Sequence, residues 1–176
     1  MNEFLDKVVL AVLVGIVSNG MFLILLSRLR PRLIISPYIA RGKSTLDGRL
    51  IFRIKVINRS KYPVTNIRAQ LHLMKPYQSI GGEVSKSKSI RLVRADPIVL
   101  DKFSKKDIDV NYAYRFVTYE DIDKLWGDDT IQFIRFRITC QHGLSGFGGY
   151  FFRDFRVKRK TIKEGDFYKG NTFEIG

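Results

Sequence analysis

From Val8 to Leu26 the chain carries no charged residue. A helix of that length, at about 1.5 Å rise per residue, reaches across a hydrocarbon core of roughly 30 Å. Beyond Arg32 the apolar spacing changes from helical to alternating. Leu33 to Ala40 is an extended run interrupted by Pro37, which suits an edge strand or a crossover. Asp47-Gly48 signals a turn. Behind it Leu50, Phe52, Ile54 and Val56 alternate with Arg49, Arg53 and Lys55, the pattern of a half-buried strand. Asn58 to Pro63 turns the chain, and Ile67, Ala69, Leu71 and Leu73 then alternate with Arg68, Gln70 and His72. This second strand is expected to pair with the first.

Gln78 to Lys88 offers little to bury and reads as a mobile basic loop, followed by a strand over Ser89 to Arg94. Ile108, Val110, Tyr112, Tyr114 and Phe116 recur at period two, predicting a strand rich in aromatics. Thr118 with Asp121 resembles a capping box, which predicts one short soluble helix from Tyr119 to Trp126, ended by Gly127. Thr130 to Cys140 and Gly149 to Val157 read as strands around the glycine-rich loop His142 to Gly148, and Asp166 to Ile175 as a further edge strand. Many short strands with almost no helix predict a mainly β chain: a transmembrane helix and basic juxtamembrane segment over residues 1–32, then an antiparallel β-sandwich over 33–176.

Charge changes the picture. With 31 Lys and Arg against 17 Asp and Glu, a net +14, the surface attracts anions: lipid headgroups, nucleotides, nucleic acid or an acidic partner. Arg28, Arg30, Arg32, Arg41 and Lys43 crowd the C-terminal side of the apolar run. By the positive-inside rule the domain then faces the cytoplasm and the N-terminus points out of the cell membrane. These cations are the predicted contacts for anionic lipid or ligand. Ser18 and Gly20 also fit a signal-peptide cleavage site, against which stand the acidic Glu3 and Asp6 and the apolar MFLILL that cleavage would expose.

Projected at about 100° per residue, Ala11, Gly15, Ser18, Asn19 and Phe22 share one side of the helix. A stripe of small and polar residues suits helix packing, and Asn19 at mid-membrane depth should meet a copy of itself or a water-filled lumen. The chain is therefore expected to be a homo-oligomer.

Reactive chemistry is sparse. Gly143 to Gly148 matches neither G-x-S-x-G nor G-x-G-x-x-G. Cys140 and His142 supply two metal ligands at best, and a single cysteine excludes an internal disulfide. Asp121, Asp123, Asp128 and Asp129 read as capping residues. Asn58-Arg59-Ser60 matches a glycosylation acceptor that is inert on the cytoplasmic side. No catalytic residue, cofactor or metal is predicted. Nucleic acid is disfavoured as partner: Arg135, Arg137, Arg153 and Arg156 alternate with core positions, and no recognition helix or RNA-binding motif is present.

The order of short motifs resembles the inner helix and cytoplasmic domain of inward-rectifier potassium channels. Val14-Gly15 with Asn19 resembles that family's pore-lining helix, and Arg30-Pro31-Arg32 its basic segment that contacts phosphoinositides. Asp47-Gly48-Arg49-Leu50, Asn58-Arg59-Ser60, Arg68-Ala69-Gln70-Leu71, Phe103-Ser104-Lys105-Lys106-Asp107-Ile108 and Gly165-Asp166-Phe167-Tyr168 follow in family order. The resemblance implies an immunoglobulin-like sandwich that tetramerises. The chain has no outer helix, pore helix or T-x-G-Y-G filter, so potassium selectivity is not implied.

The expected function is that of a non-enzymatic single-pass membrane protein. Its basic sandwich binds an anionic small ligand, lipid or protein partner, coupled to oligomerisation through the helix. An oligomeric pore or membrane-disrupting effector, and an accessory subunit of a separate membrane complex, are the alternatives.

Overall fold

A computed structural model describes residues 2–45, 47–80, 82–127 and 131–176, with the side chains of residues 2–5, 27, 28, 79 and 83 outside that description. Asp128, Asp129 and Thr130 lie outside the described residues. Helix α1 (Asn2–Arg28) contains one stretch, Asp6–Leu26, long and apolar enough to cross a membrane. A signal sequence passes the same test. Among the described residues, no other part of the chain covers this stretch.

The strands are β1 (Leu33–Ile35), β2 (Ile39–Lys43), β3 (Leu50–Asn58), β4 (Val64–Ser79), β5 (Gly82–Ile90), β6 (Val99–Leu100), β7 (Ala113–Thr118), β8 (Phe133–His142), β9 (Gly148–Phe155) and β10 (Ile162–Glu164). Two short helices, α2 (Ile122–Leu125) and α3 (Lys158–Thr161), complete the chain. One sheet runs β1-β3-β2-β10 with β7 on the other side of β3. The second runs β5-β4-β8-β9 with β6 on β4. All pairings are antiparallel except β10 with β2. Phe52, Ile54 and Val56 of the first sheet and Leu71, Phe136 and Ile138 of the second share one core. Phe116 of β7 and Phe136 of β8 meet with ring centroids 5.2 Å apart. The layers are thus sandwich-like, mainly β, behind one apolar helix.

Several expected elements are corrected. The strand at Ile67 to Leu73 does not pair with the strand at Leu50 to Val56, because the turn between them crosses to the second sheet and the two apolar faces meet across the core. Gln78 to Lys88 is no loop: β5 pairs with β4 from Leu71↔Ile90 to Ser79↔Gly82. Its serines and lysines are exposed on an edge, so no apolar alternation marked it. The period-two run from Ile108 to Phe116 is strand only from Ala113; the backbone at Val110 has φ 60°, outside any strand conformation. The short helix is capped by Asp121, which accepts from the Lys124 amide at 3.2 Å, while Thr118 Oγ1 accepts from the Glu120 amide. Asp166 to Ile175 forms only an isolated bridge, Phe167↔Ile175.

The largest correction concerns β3, expected to be half-buried and in fact buried on both faces. The chain from Gly165 onward folds over its polar side. Lys55, 2 % exposed, donates from Nζ to the carbonyls of Tyr168, Gly170 and Thr172 at 2.7, 2.8 and 2.8 Å. Arg115, its cross-strand neighbour, donates to the Phe167 carbonyl, and Arg53 Nε lies 3.5 Å from Asp166. A buried cation is tolerated here because its three N–H groups all have acceptors.

Burial, helped by the Arg115 charge and opposed by Asp166, pushes the Lys55 amine down to about 8 from 10.5. Between those values the unfolded chain holds a proton that the folded chain has released, so stability rises with pH there, by at most about 1.4 kcal/mol per pH unit. Denaturant titrations in one detergent should show wild type gaining on Lys55→Met from pH 8 to 10. At pH 7 the variant should lose protection of residues 165–176 from proteolysis, because three carbonyls lose their donor.

Candidate functional site

The helix stops because Pro31 has no amide proton and forbids a helical Arg30. The exit is then stitched to the sandwich. Ser145 Oγ donates to the Leu29 carbonyl at 2.6 Å, the Arg32 amide donates to Ser60 Oγ at 2.8 Å, and the Arg59 amide donates to the Arg32 carbonyl at 2.7 Å. One residue further on, β1 begins its pairing with Leu33 opposite Asn58. Pro31 is buried against the start of β9, where a Cβ on Gly149 would come 2.5 Å from Pro31 Cγ and 2.7 Å from Phe151.

Asn58 organises the facing turn. Fully buried, it donates from Nδ2 to the carbonyls of Asp101 at 2.8 Å, Tyr62 at 3.0 Å and Leu100 at 3.3 Å, and its Oδ1 accepts from the Ser60 amide at 2.8 Å. The Asn-Arg-Ser motif is thus a bracket that shapes residues 59–62. Arg59 is held with its guanidinium 4.9 Å above the Phe103 ring.

These elements enclose a cleft of about 550 Å³ lined by Leu29, Arg30, Arg32, Arg59, Ser60, Lys61, Tyr62 and His142. No carboxylate among the described residues lines it. Among the described residues, Arg30, Arg32, Arg59 and Lys61 form no ion pair. Two or more guanidinium forks beside an ammonium match the oxygens of a phosphate. His142 closes the floor, packed edge-on to Tyr62 at 5.2 Å. Burial lowers its pKa, so the ring is neutral at pH 7. The Ser145 amide donates to Nδ1 at 3.2 Å, which leaves the ring proton on Nε2.

Ser145 Oγ also lies 3.2 Å from Nδ1, the nearest approach here to a nucleophile and base. Its proton is committed to the Leu29 carbonyl, so the pair serves as a joint. Among the described residues no group of three His, Cys, Asp or Glu could hold a metal. Cys140 points into the core, where burial pushes its thiol up to about 11.

The cations predicted as one cluster separate into two. Arg30 and Arg32 line the cleft, and the Arg28 side chain lies outside the described residues. Arg41 sits opposite Phe52, six positions along β3 from Asn58 and so roughly 20 Å away. It is neutralised by Asp123 and Glu164, which also raise its pKa. Lys43, opposite Leu50, is further still. Arg59 and Lys61 were missed by the sequence reading. The available signal was antiparallel pairing of Leu33 to Ile35 with the end of the Leu50 strand, which puts the following turn beside Arg32. Ala11, Gly15, Ser18, Asn19 and Phe22 all stand exposed along α1. Of the strand arginines, Arg135 is held by Asp154 at 2.6 and 2.7 Å, Arg153 donates to the Ile35 carbonyl at 3.2 Å, and Arg156 approaches Asp154 at 3.5 Å.

No family model and no curated protein matches this chain. Among solved structures, Spo0M, a sporulation control protein from Bacillus subtilis, aligns with 10% identity and a TM-score of 0.38, over 73% of this chain and 49% of that one. The chain thus spans about half the length of that protein.

The close fit of Pro31 on β9 makes Gly149→Ala a probe of the joint. The added methyl must displace Pro31 or Phe151, so thermal unfolding in detergent should show a loss of about 1–3 kcal/mol. Proteolysis near residues 29–32 should also accelerate.

Proposed function

We propose that this chain is a non-enzymatic single-pass membrane protein whose sandwich, immunoglobulin-like in type, binds the phosphate of an anionic lipid headgroup beside the helix exit. The observation that carries the reading is the cleft itself: four cations that form no ion pair among the described residues, at the place where the chain passes from an apolar helix into a folded domain. An anionic leaflet attracts each such residue by about 1 kcal/mol. The basic flank puts the sandwich on the cytoplasmic side.

Binding is coupled to association of α1. The uncovered stripe of Ala11, Gly15, Ser18, Asn19 and Phe22 supports this, since an amide facing lipid is costly and a matching amide on a second helix relieves the cost. A tetramer follows the resemblance to inward-rectifier channels. The same stripe supports a second reading, in which Asn19 lines a water-filled path and the oligomer is a pore; ion flux from liposomes holding this protein alone distinguishes it from an anchor.

Short-chain phosphatidylglycerol added to the full chain in neutral detergent should raise the unfolding temperature, because a ligand of the folded state stabilises it. In Arg32→Gln/Arg59→Gln the apparent affinity should fall by about 30-fold, from two lost contacts of about 1 kcal/mol each. An equal affinity in both proteins refutes the site. Asn19→Leu should shift the wild-type oligomer toward monomer in native mass spectra, by about 1 kcal/mol per helix contact. A monomeric wild type refutes the coupling.

A further inference from the structure

Three loops gather at the end of the sandwich where α1 enters. Residues 59–63 follow β3. Residues 96–112 are tied to them by the pairing of Val64 with Leu100 and by the Phe103 amide donating to the Ser60 carbonyl at 3.2 Å. Residues 143–147 are tied by the Gly143 amide to the Pro63 carbonyl and by Ser145 to Leu29. At this end large apolar side chains point into solvent: Ile108 is 90% exposed, Ile98 87% and Leu144 61%. Ile108 is held outward by a built turn. The Asp107 carboxylate accepts from the amides of Asp109 at 3.1 Å and Asn111 at 2.8 Å, and Val110 takes the strained φ of 60°. Exposed Lys102, Lys105 and Lys106 stand in the same loop among Asp96, Asp101, Asp107 and Asp109, and the four cations of the cleft make this end of the sandwich net positive.

We propose that this end face is a membrane-contact surface, with Ile108, Ile98 and Leu144 entering the interfacial layer of an anionic leaflet and the lysines resting on headgroup phosphates. The inference rests on the reading that α1 spans the bilayer. Two observations on the structure select a bilayer as the occupant. The tether of Leu29, Arg30, Pro31 and Arg32 between α1 and β1 reaches at most about 17 Å when extended, and Ser145 and Ser60 bind it to this end of the sandwich, so this end stays beside the leaflet that α1 enters. Apolar loop tips on an end made net positive by the cleft cations also match the chemistry of an anionic interface, apolar below and phosphate above. The opposite pole is the β4–β5 turn at Ile80, roughly 50 Å away along β4.

The test uses the full chain in anionic nanodiscs. Cys140 is buried, so an environment-sensitive fluorophore can be placed singly by Ile108→Cys, Ile80→Cys or Val17→Cys. Nitroxide-bearing phospholipids should quench the Val17 and Ile108 probes and leave the Ile80 probe unchanged, with quenching at Ile108 at least about twofold above that at Ile80. Lys105→Glu/Lys106→Glu should reduce the Ile108 quenching in anionic discs. Quenching at Val17 with none at Ile108 overturns this proposal alone. No quenching at Val17 overturns the membrane reading and this proposal with it. An Ile108 probe shielded from aqueous iodide yet unquenched by lipid means that a protein covers the face, and overturns the proposal.

Discussion

The short antiparallel pairing of Leu33–Ile35 with the end of β3 is the constraint on which the rest depends. Once Leu33 lies opposite Asn58, the helix exit is locked beside the turn that follows β3. The Arg59 amide then completes the ladder on the Arg32 carbonyl. The consequence is electrostatic: Arg30 and Arg32 from one segment meet Arg59 and Lys61 from another, with no carboxylate among the described lining residues. Like charges held this close repel, and the arrangement is tolerated because backbone and Asn58 hydrogen bonds, made deep in the fold, fix the segments that carry them. On the proposed reading, a bound anion relieves the repulsion that remains.

A second cationic group in the protein shows the opposite solution. Arg53, Lys55 and Arg115 also stand together on one sheet face, but that face is roofed by the segment from Gly165 to Gly176, which supplies carbonyl oxygens and Asp166. There the charge is consumed in holding the fold together. The contrast separates structural from available charge: Arg41, Arg53, Lys55 and Arg135 have polar partners within the chain, whereas the four cations at the helix exit form no ion pair among the described residues. A net +14 says nothing about this division.

Much of the fold was legible. The apolar helix, the extended run split at Pro37, the Asp47-Gly48 turn and the strands around Leu50, Ile67, Ile134 and Phe151 all follow from local periodicity. The β4–β5 hairpin was not legible. Its edge strand buries almost nothing, so its pairing is specified by the backbone of β4 rather than by its own side chains. The candidate site was half legible: Arg30 and Arg32 were marked by their place after the apolar run, while Arg59 and Lys61 looked like any polar turn. Arg41 and Lys43 were grouped with them because nearness in sequence was the available measure, and a strand carries residues about 3.3 Å apart per position away from one another.

By itself the sequence determined one long apolar helix, a mainly β remainder, and an excess of positive charge after the helix. These are properties of composition and of short-range period, which the pleat and the helical turn convert directly into faces. Tertiary structure alone decided which faces are covered and which cations have partners. Lys55 looks solvated in an alternating pattern, yet becomes buried because a segment more than a hundred positions away folds over it. The turn after β3 looks incidental, yet becomes one wall of a cationic cleft because strand pairing is non-local. The stretch from Val8 to Arg32, a plain anchor when read alone, ends in one wall of a cleft whose other wall lies across a strand register.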